Sequence, residues 1–71
     1  MSWDKKIAAL EELHKTFKEV EEELITVGKE VQDDPDASKE VADLLSRVRK
    51  TNELTAQAIK LFKSGQKHDH P

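Results

Sequence analysis

Apolar residues recur every seven positions through the first half of this chain, and this spacing limits the fold more than any other feature. One row has a second row three or four positions away from it. The rows are Trp3, Leu10, Phe17, Leu24 and Val31, then Leu13, Val20 and Val27, with Ile7 supporting the start. Alternating steps of three and four residues are typical of the seam of a left-handed coiled coil. The pattern predicts a long amphipathic helix.

The second half carries the same spacing without interruption, although two of its seven places are polar. The series is Val41, Leu45, Val48, Asn52, Thr55, Ile59 and Phe62. A polar residue in a coiled-coil seam costs stability and can fix register or oligomeric state. We therefore predict a polar layer of His14, Asn52 and Thr55, in which Asn52 and His14 are close enough to hydrogen-bond. Partner recognition and a ligand or proton role remain open for Asn52.

One strong helix breaker lies near the middle of the chain, at Pro35 within the segment 33–36, which also holds three Asp residues. A proline at the first helical position loses no hydrogen bond, and Asp34 is a good N-cap before it. Asp36 is the alternative cap. We predict one domain over 1–71, with a helix over about 3–32 capped by Ser2, a turn over about 33–35, a helix over about 36–64 and a flexible tail over 65–71. Gly65 is the expected left-handed cap.

Folding the chain at Pro35 brings the two seams into register. Trp3 with Phe62 and Leu24 with Val41 are both facing pairs of an antiparallel hairpin. In this register Arg47 lies near Glu19, and Arg49 lies near Glu12. The predicted fold class is all-α, an antiparallel two-helix hairpin that completes a four-helix bundle by dimerisation or with a partner helix. A single continuous helix is the alternative.

Some apolar residues of the second half do not fit the seam. They are Leu44, Leu54, Ala58 and Leu61, and with Thr51 they form a flank that we predict to bind a partner. In the alternative interpretation they merely widen the stripe buried within the chain. A hairpin of 71 residues without disulfides is marginal alone, which favours a homodimer or a hetero-complex with a helical protein segment.

Charge and composition argue against several classes of protein. The chain has 12 basic and 15 acidic residues, a net charge of −3, which argues against nucleic-acid binding. It has no cysteine and no signal-like or membrane-spanning apolar run, so we expect a cytoplasmic protein without a membrane partner. His68-Asp69-His70 lacks further ligands for a metal. No catalytic motif appears, so we expect no enzyme, cofactor, metal or small-molecule substrate.

The predicted hairpin is similar in shape to three kinds of small helical protein. These are export chaperones, subunits of bacterial secretion systems, and dimeric RNA-binding four-helix bundles of the Rop kind. The segment 44–54 resembles the Leu- and Asn-bearing helix of flagellar export chaperones. Shape does not imply function, and no residue role is carried over. The leading hypothesis is a small adaptor or chaperone; the alternatives are a structural subunit of a larger assembly and an RNA-binding regulatory dimer.

Overall fold

A computed structural model describes residues 3–68, and the surroundings of side chains are described for residues 3–65. Helix α1 spans Trp3–Glu30 and helix α2 spans Pro35–His68. The two helices pack against each other as an antiparallel hairpin, with Cα extents of 59 × 14 × 12 Å. The predicted all-helical hairpin is confirmed, and the alternative of one continuous helix is wrong.

Asp34 determines where α2 begins. Its Oδ1 accepts hydrogen bonds from the backbone N–H groups of Asp36 at 3.1 Å and Ala37 at 3.2 Å. These are donors that the first turn of a helix cannot satisfy internally. Pro35 has no such N–H to lose, so it occupies the first helical position at no cost. Asp34 is thus the cap, and the alternative cap at Asp36 is wrong.

The C-terminal ends of both helices differ from the prediction. Helix α1 ends at Glu30, two residues early, and the backbone N–H of Asp34 closes the turn onto the carbonyl of Val31 at 2.9 Å. Helix α2 continues through Gly65 to His68, and no glycine among the described residues has a positive φ. The predicted left-handed cap at Gly65 is therefore wrong, and so is a tail beginning there. Ser2 and residues 69–71 lie outside the described residues.

Packing against Trp3 explains the continuation of α2. A Cβ atom placed on Gly65 would lie 3.5 Å from Cη2 of the Trp3 indole. The ring also packs edge-on against Phe62, with centroids 5.5 Å apart and an interplanar angle of 83°. A glycine permits the left-handed conformation without requiring it. Here the first residue of α1 covers the last turns of α2, which favours the helical conformation.

The structure corrects the second of the two rows predicted for the first half of the chain. The inward-facing residues of α1 form one row in unbroken steps of four and three. Its members are Trp3, Ile7, Leu10, His14, Phe17, Glu21, Leu24 and Gly28, and Val31 continues the row in the turn. All are buried or half-buried. Of the predicted second row, Leu13 and Val27 are exposed and Val20 is half-buried. The prediction followed hydrophobicity, whereas the periodicity that begins at Ile7 places a histidine, a glutamate and a glycine inward.

The seam of α2 is the one that was predicted. All seven of its residues are buried or half-buried. Val41 meets α1 where Gly28 lies, since a Cβ on that glycine would be 3.4 Å from Cγ1 of Val41. The core is thin, because Ile7, at 7% exposed, is the one apolar residue among those described that is buried rather than half-buried.

Candidate interaction surface

The large side chains of the predicted flank lie in solvent. The exposed fractions are 50% for Leu44, 55% for Leu54 and 70% for Leu61. Thr51 is also exposed, and Ala58 is half-buried. Isolated exposed leucines are ordinary on protein surfaces, whereas a contiguous set marks a contact site. The hairpin does not bury this flank, so the interpretation that it widens the internal stripe is wrong for the three leucines.

Both helices contribute to this side of the hairpin. A residue that directly precedes a seam residue lies about 100° around the helix axis from it. Because α1 and α2 run in opposite directions, the residues that precede the seam on the two helices project to the same side of the pair. These residues are Leu13, Val20, Val27, Leu44, Thr51 and Ala58.

The other side of the hairpin supports this geometry. Ile25 and Ala42 each directly follow a seam residue, and both line one groove of about 280 Å³ between the helices. On that side the Lys63 ammonium also lies 3.3 Å from the Glu11 carboxylate, across the two helices. Residues that follow the seam therefore share one side, which leaves the opposite side to residues that precede it.

We call the side that carries the leucines the apolar face. It consists of Leu13, Val20, Val27, Leu44, Thr51, Leu54, Ala58 and Leu61. The hydroxyl of Thr51 donates to the backbone carbonyl of Arg47 at 2.9 Å, so it needs no bond to water. Covering this face would therefore leave no threonine donor unsatisfied. Sequence reasoning found the α2 half of the face and placed Leu13 and Val27 in the seam instead.

The polar layer inside the hairpin is incompletely bonded. Asn52 is 5% exposed and Thr55 is 8% exposed, and the Thr55 hydroxyl donates to the carbonyl of Thr51 at 2.9 Å. The buried Oδ1 of Asn52 and Nδ1 of His14 have no hydrogen-bond partner, so the expected bond between them is not formed. A buried polar atom without a partner costs about 1–3 kcal/mol. The layer therefore lowers the stability of the hairpin.

Ion pairs also differ from the expected register. Arg47 pairs with Asp43 of its own helix at 3.2 Å, rather than with Glu19 of α1. Both side chains are more than half exposed, and an (i, i+4) pair of this kind contributes about 0.3–0.5 kcal/mol. Arg47 therefore does not set the register of the hairpin.

The described residues offer little for chemistry. Among them, no group of three or more His, Cys, Asp or Glu side chains could hold a metal ion. Asp69 and His70 of the His68-Asp69-His70 cluster lie outside those residues. A second, shallow groove lies on α1 alone, beside Glu19, Glu23 and Val27. Neither described helix combines the length and the apolar character that crossing a bilayer requires.

Comparisons with protein-family models, with curated proteins and with solved structures find no match to this chain.

Proposed function

We propose that this chain is a non-enzymatic protein–protein interaction module, a small cytoplasmic helical hairpin that acts as an adaptor or chaperone. It would pack its apolar face against a helical surface, supplied by another copy of the chain or by a partner protein. A cysteine-free composition fits the reducing cytoplasm. The mechanism is burial of helix against helix, in which leucines enter the grooves of the opposing surface.

One observation carries this proposal. In the same stretch of α2, polar Asn52 and Thr55 are buried while Leu54 and Leu61 are exposed. Burying a leucine side chain contributes about 1.5–3 kcal/mol. A helix that served only its own hairpin would gain by the reverse arrangement. The exposed leucines are explained if their burial occurs on binding.

The test is a pull-down from the source cell with mass measurement of the purified chain, alone and as the double variant Leu54→Asp, Leu61→Asp. The matched control is Ile25→Asp, Ala42→Asp, which adds the same charge to the other side. We expect the leucine variant to lose every complex and to keep its helical circular dichroism, while the control keeps its complexes. Unchanged complexes in a folded leucine variant would refute the proposal.

A structural subunit of a larger helical assembly is the second candidate. The apolar face runs along both helices, so it offers enough surface for repeated contacts. That candidate predicts growth with concentration and no discrete final mass, whereas an adaptor reaches a defined stoichiometry.

An RNA-binding regulatory dimer is the third candidate. Helix α2 carries seven basic and four acidic residues, the only basis for it among the described elements. It predicts binding of RNA that weakens steeply with salt. No binding of RNA at low salt removes it.

A further inference from the structure

We infer that the apolar face is covered by a second copy of this chain, with α1 of each copy against α2 of the other. The two copies would be related by a two-fold axis parallel to the helices, which makes an antiparallel four-helix bundle. This inference rests on the proposed function and names the partner. It follows from a second pattern of steps in each helix, from helix charge and from the sizes of the facing side chains.

Each helix carries a second seam beside the first. On α2 it runs in steps of three and four through Leu44, Arg47, Thr51, Leu54, Ala58 and Leu61. On α1 the corresponding series is Ala9, Leu13, Thr16, Val20, Glu23 and Val27. A helix with two adjacent seams has two neighbours in a bundle, and the hairpin supplies only one of them.

A two-fold axis parallel to the helices keeps every residue at its own height. The facing positions then follow from the register of the hairpin itself, in which Trp3 meets Phe62. The contact between Gly28 and Val41 fixes the other end of that register. Between these two contacts, Ala58 faces Ala9 of the second copy, and Thr51 faces its Thr16. Leu54 faces its Leu13. Small side chains thus meet small ones and allow the helices to approach closely, while the two leucines fill the layer between them.

The small partners can be covered without loss. The hydroxyl of Thr16 donates to the carbonyl of Glu12 at 3.1 Å, so its methyl group is free to contact an apolar side chain. Ala9 and Thr16 are both exposed in the hairpin.

Charge selects this axis over the alternative. Helix α1 carries eight acidic and five basic residues, and α2 carries four acidic and seven basic ones. The chosen axis pairs the net −3 helix with the net +3 helix and brings Arg47 within one helical turn of Glu23 in height. A two-fold axis perpendicular to the helices would instead pack α1 on α1, with like charge facing like charge.

The chosen axis also brings the two acidic turns to one end of the bundle. These turns are exposed, lie beyond the apolar face and have Lys29 and Lys39 close by in the chain. Repulsion between exposed charges is screened within about 8 Å at physiological salt. Physiological salt therefore weakens the repulsion between the two turns.

The extent of the face suits a dimer. It is about 30 Å long and about 20 Å wide, from the helix rise per residue and the diameter of two helices. That is roughly 600 Å² per copy before the relief of the side chains is counted, close to the about 800 Å² per partner of a standard interface.

The experiment uses single-cysteine variants of the full chain, which has no cysteine of its own. Ala9→Cys and Ala58→Cys are purified separately, mixed and oxidised gently. We expect a disulfide-linked dimer in the mixture and almost none in either variant alone. A mixture of Ala9→Cys with Val27→Cys tests the perpendicular axis, and a dimer there instead would overturn the inference.

Charge reversal gives an independent readout. Arg47→Glu alone is expected to weaken the dimer about tenfold or more, and adding Glu23→Arg is expected to restore it while helicity stays constant. A restored dimer supports the inference, and a double variant weaker than either single variant contradicts it.

The mass of the purified chain and the double leucine variant separate this inference from the proposed function. If the purified chain stays at 8.1 kDa and Leu54→Asp, Leu61→Asp still abolishes a complex with another protein, the second copy is wrong and the function stands. If those aspartates change neither mass nor binding, both are wrong.

Discussion

Two pairs of residues in α2 have the opposite exposure from the one that their polarity favours. Asn52 and Thr55 point into the hairpin and are buried, whereas Leu54 and Leu61 point outward and are 55% and 70% exposed. Burial of polar groups lowers the free energy of unfolding of the hairpin, and exposure of leucines forgoes a gain of similar size. The difference indicates a hairpin whose apolar surface is arranged for association more than for its own stability.

The largest effect is expected at the exposed leucines. Truncating Leu61 to alanine removes about 1.5–3 kcal/mol of burial, and a symmetric dimer holds this residue twice. The free energy of dimerisation should therefore fall by about 3–6 kcal/mol, a factor of about 100 or more. Sedimentation equilibrium measures the change. Ile25→Ala, on the other side, should leave dimerisation unaltered, and an equal loss there would break the comparison.

The next effect is expected in the polar layer. Asn52→Leu removes a buried oxygen that has no partner and should raise the free energy of unfolding by about 1–3 kcal/mol. Urea denaturation at fixed protein concentration measures it. Adding Leu54→Asn should keep the hairpin gain and weaken the dimer, which separates the two regions. A fall in stability on Asn52→Leu alone would mean that the amide has an unseen partner.

A smaller effect on stability is expected at the turn, which supports the polar layer and the apolar face alike. Asp34→Ala removes the acceptor of two backbone N–H groups and should lower the free energy of unfolding by about 1 kcal/mol. Thermal melts followed by circular dichroism measure the loss. Asp34→Asn is the control, since it keeps a capping oxygen; equal losses in both variants would contradict the capping role.

Where the helices approach closely, a substitution is expected to give a small gain in the free energy of unfolding. Gly28→Ala improves helix propensity by up to about 1 kcal/mol, and its methyl group would meet Val41 Cγ1 at 3.4 Å, a contact distance. The free energy of unfolding should therefore rise slightly. Gly28→Val, with more bulk at the same place, should lower it. A loss with alanine would show that the helices lie closer than this.

The smallest effect is expected at the ion pair between the helices. The Glu11 and Lys63 side chains are about half exposed, and such pairs contribute about 0–1 kcal/mol. Glu11→Gln should therefore change the free energy of unfolding by less than about 1 kcal/mol, and 1 M NaCl should remove the difference. A larger loss that persists in high salt would show that the pair is shielded from solvent.

Local chemistry explains which parts of the fold were predictable from sequence. Asp34 fixes the start of α2 because its carboxylate accepts two backbone N–H groups of the first turn, and Pro35 fits the first helical position. The seam of α2 follows from its unbroken steps. The second row of α1 was misplaced because His14, Glu21 and Gly28 look unsuited to a seam, and only pairing with α2 turns them inward. The helical conformation at Gly65 depends on Trp3, which lies far from it in the sequence.

The half of the apolar face that α2 contributes was predictable from the sequence. Leu54 and Leu61 fall outside the α2 seam in the sequence alone, and the structure places them in solvent. The contribution of Leu13 and Val27 required the correct row of α1 first. The small residues Ala9 and Thr16 carry no signal in sequence, since their size matters only opposite a second copy of α2.

The most direct test of the central claim is sedimentation equilibrium of the full chain over a wide concentration range, beside the double variant Leu54→Asp, Leu61→Asp. We predict a species of twice the 8.1 kDa chain mass for the natural sequence, and a folded monomer for the variant. A natural chain that remains a well-folded 8.1 kDa monomer at every concentration would contradict the account.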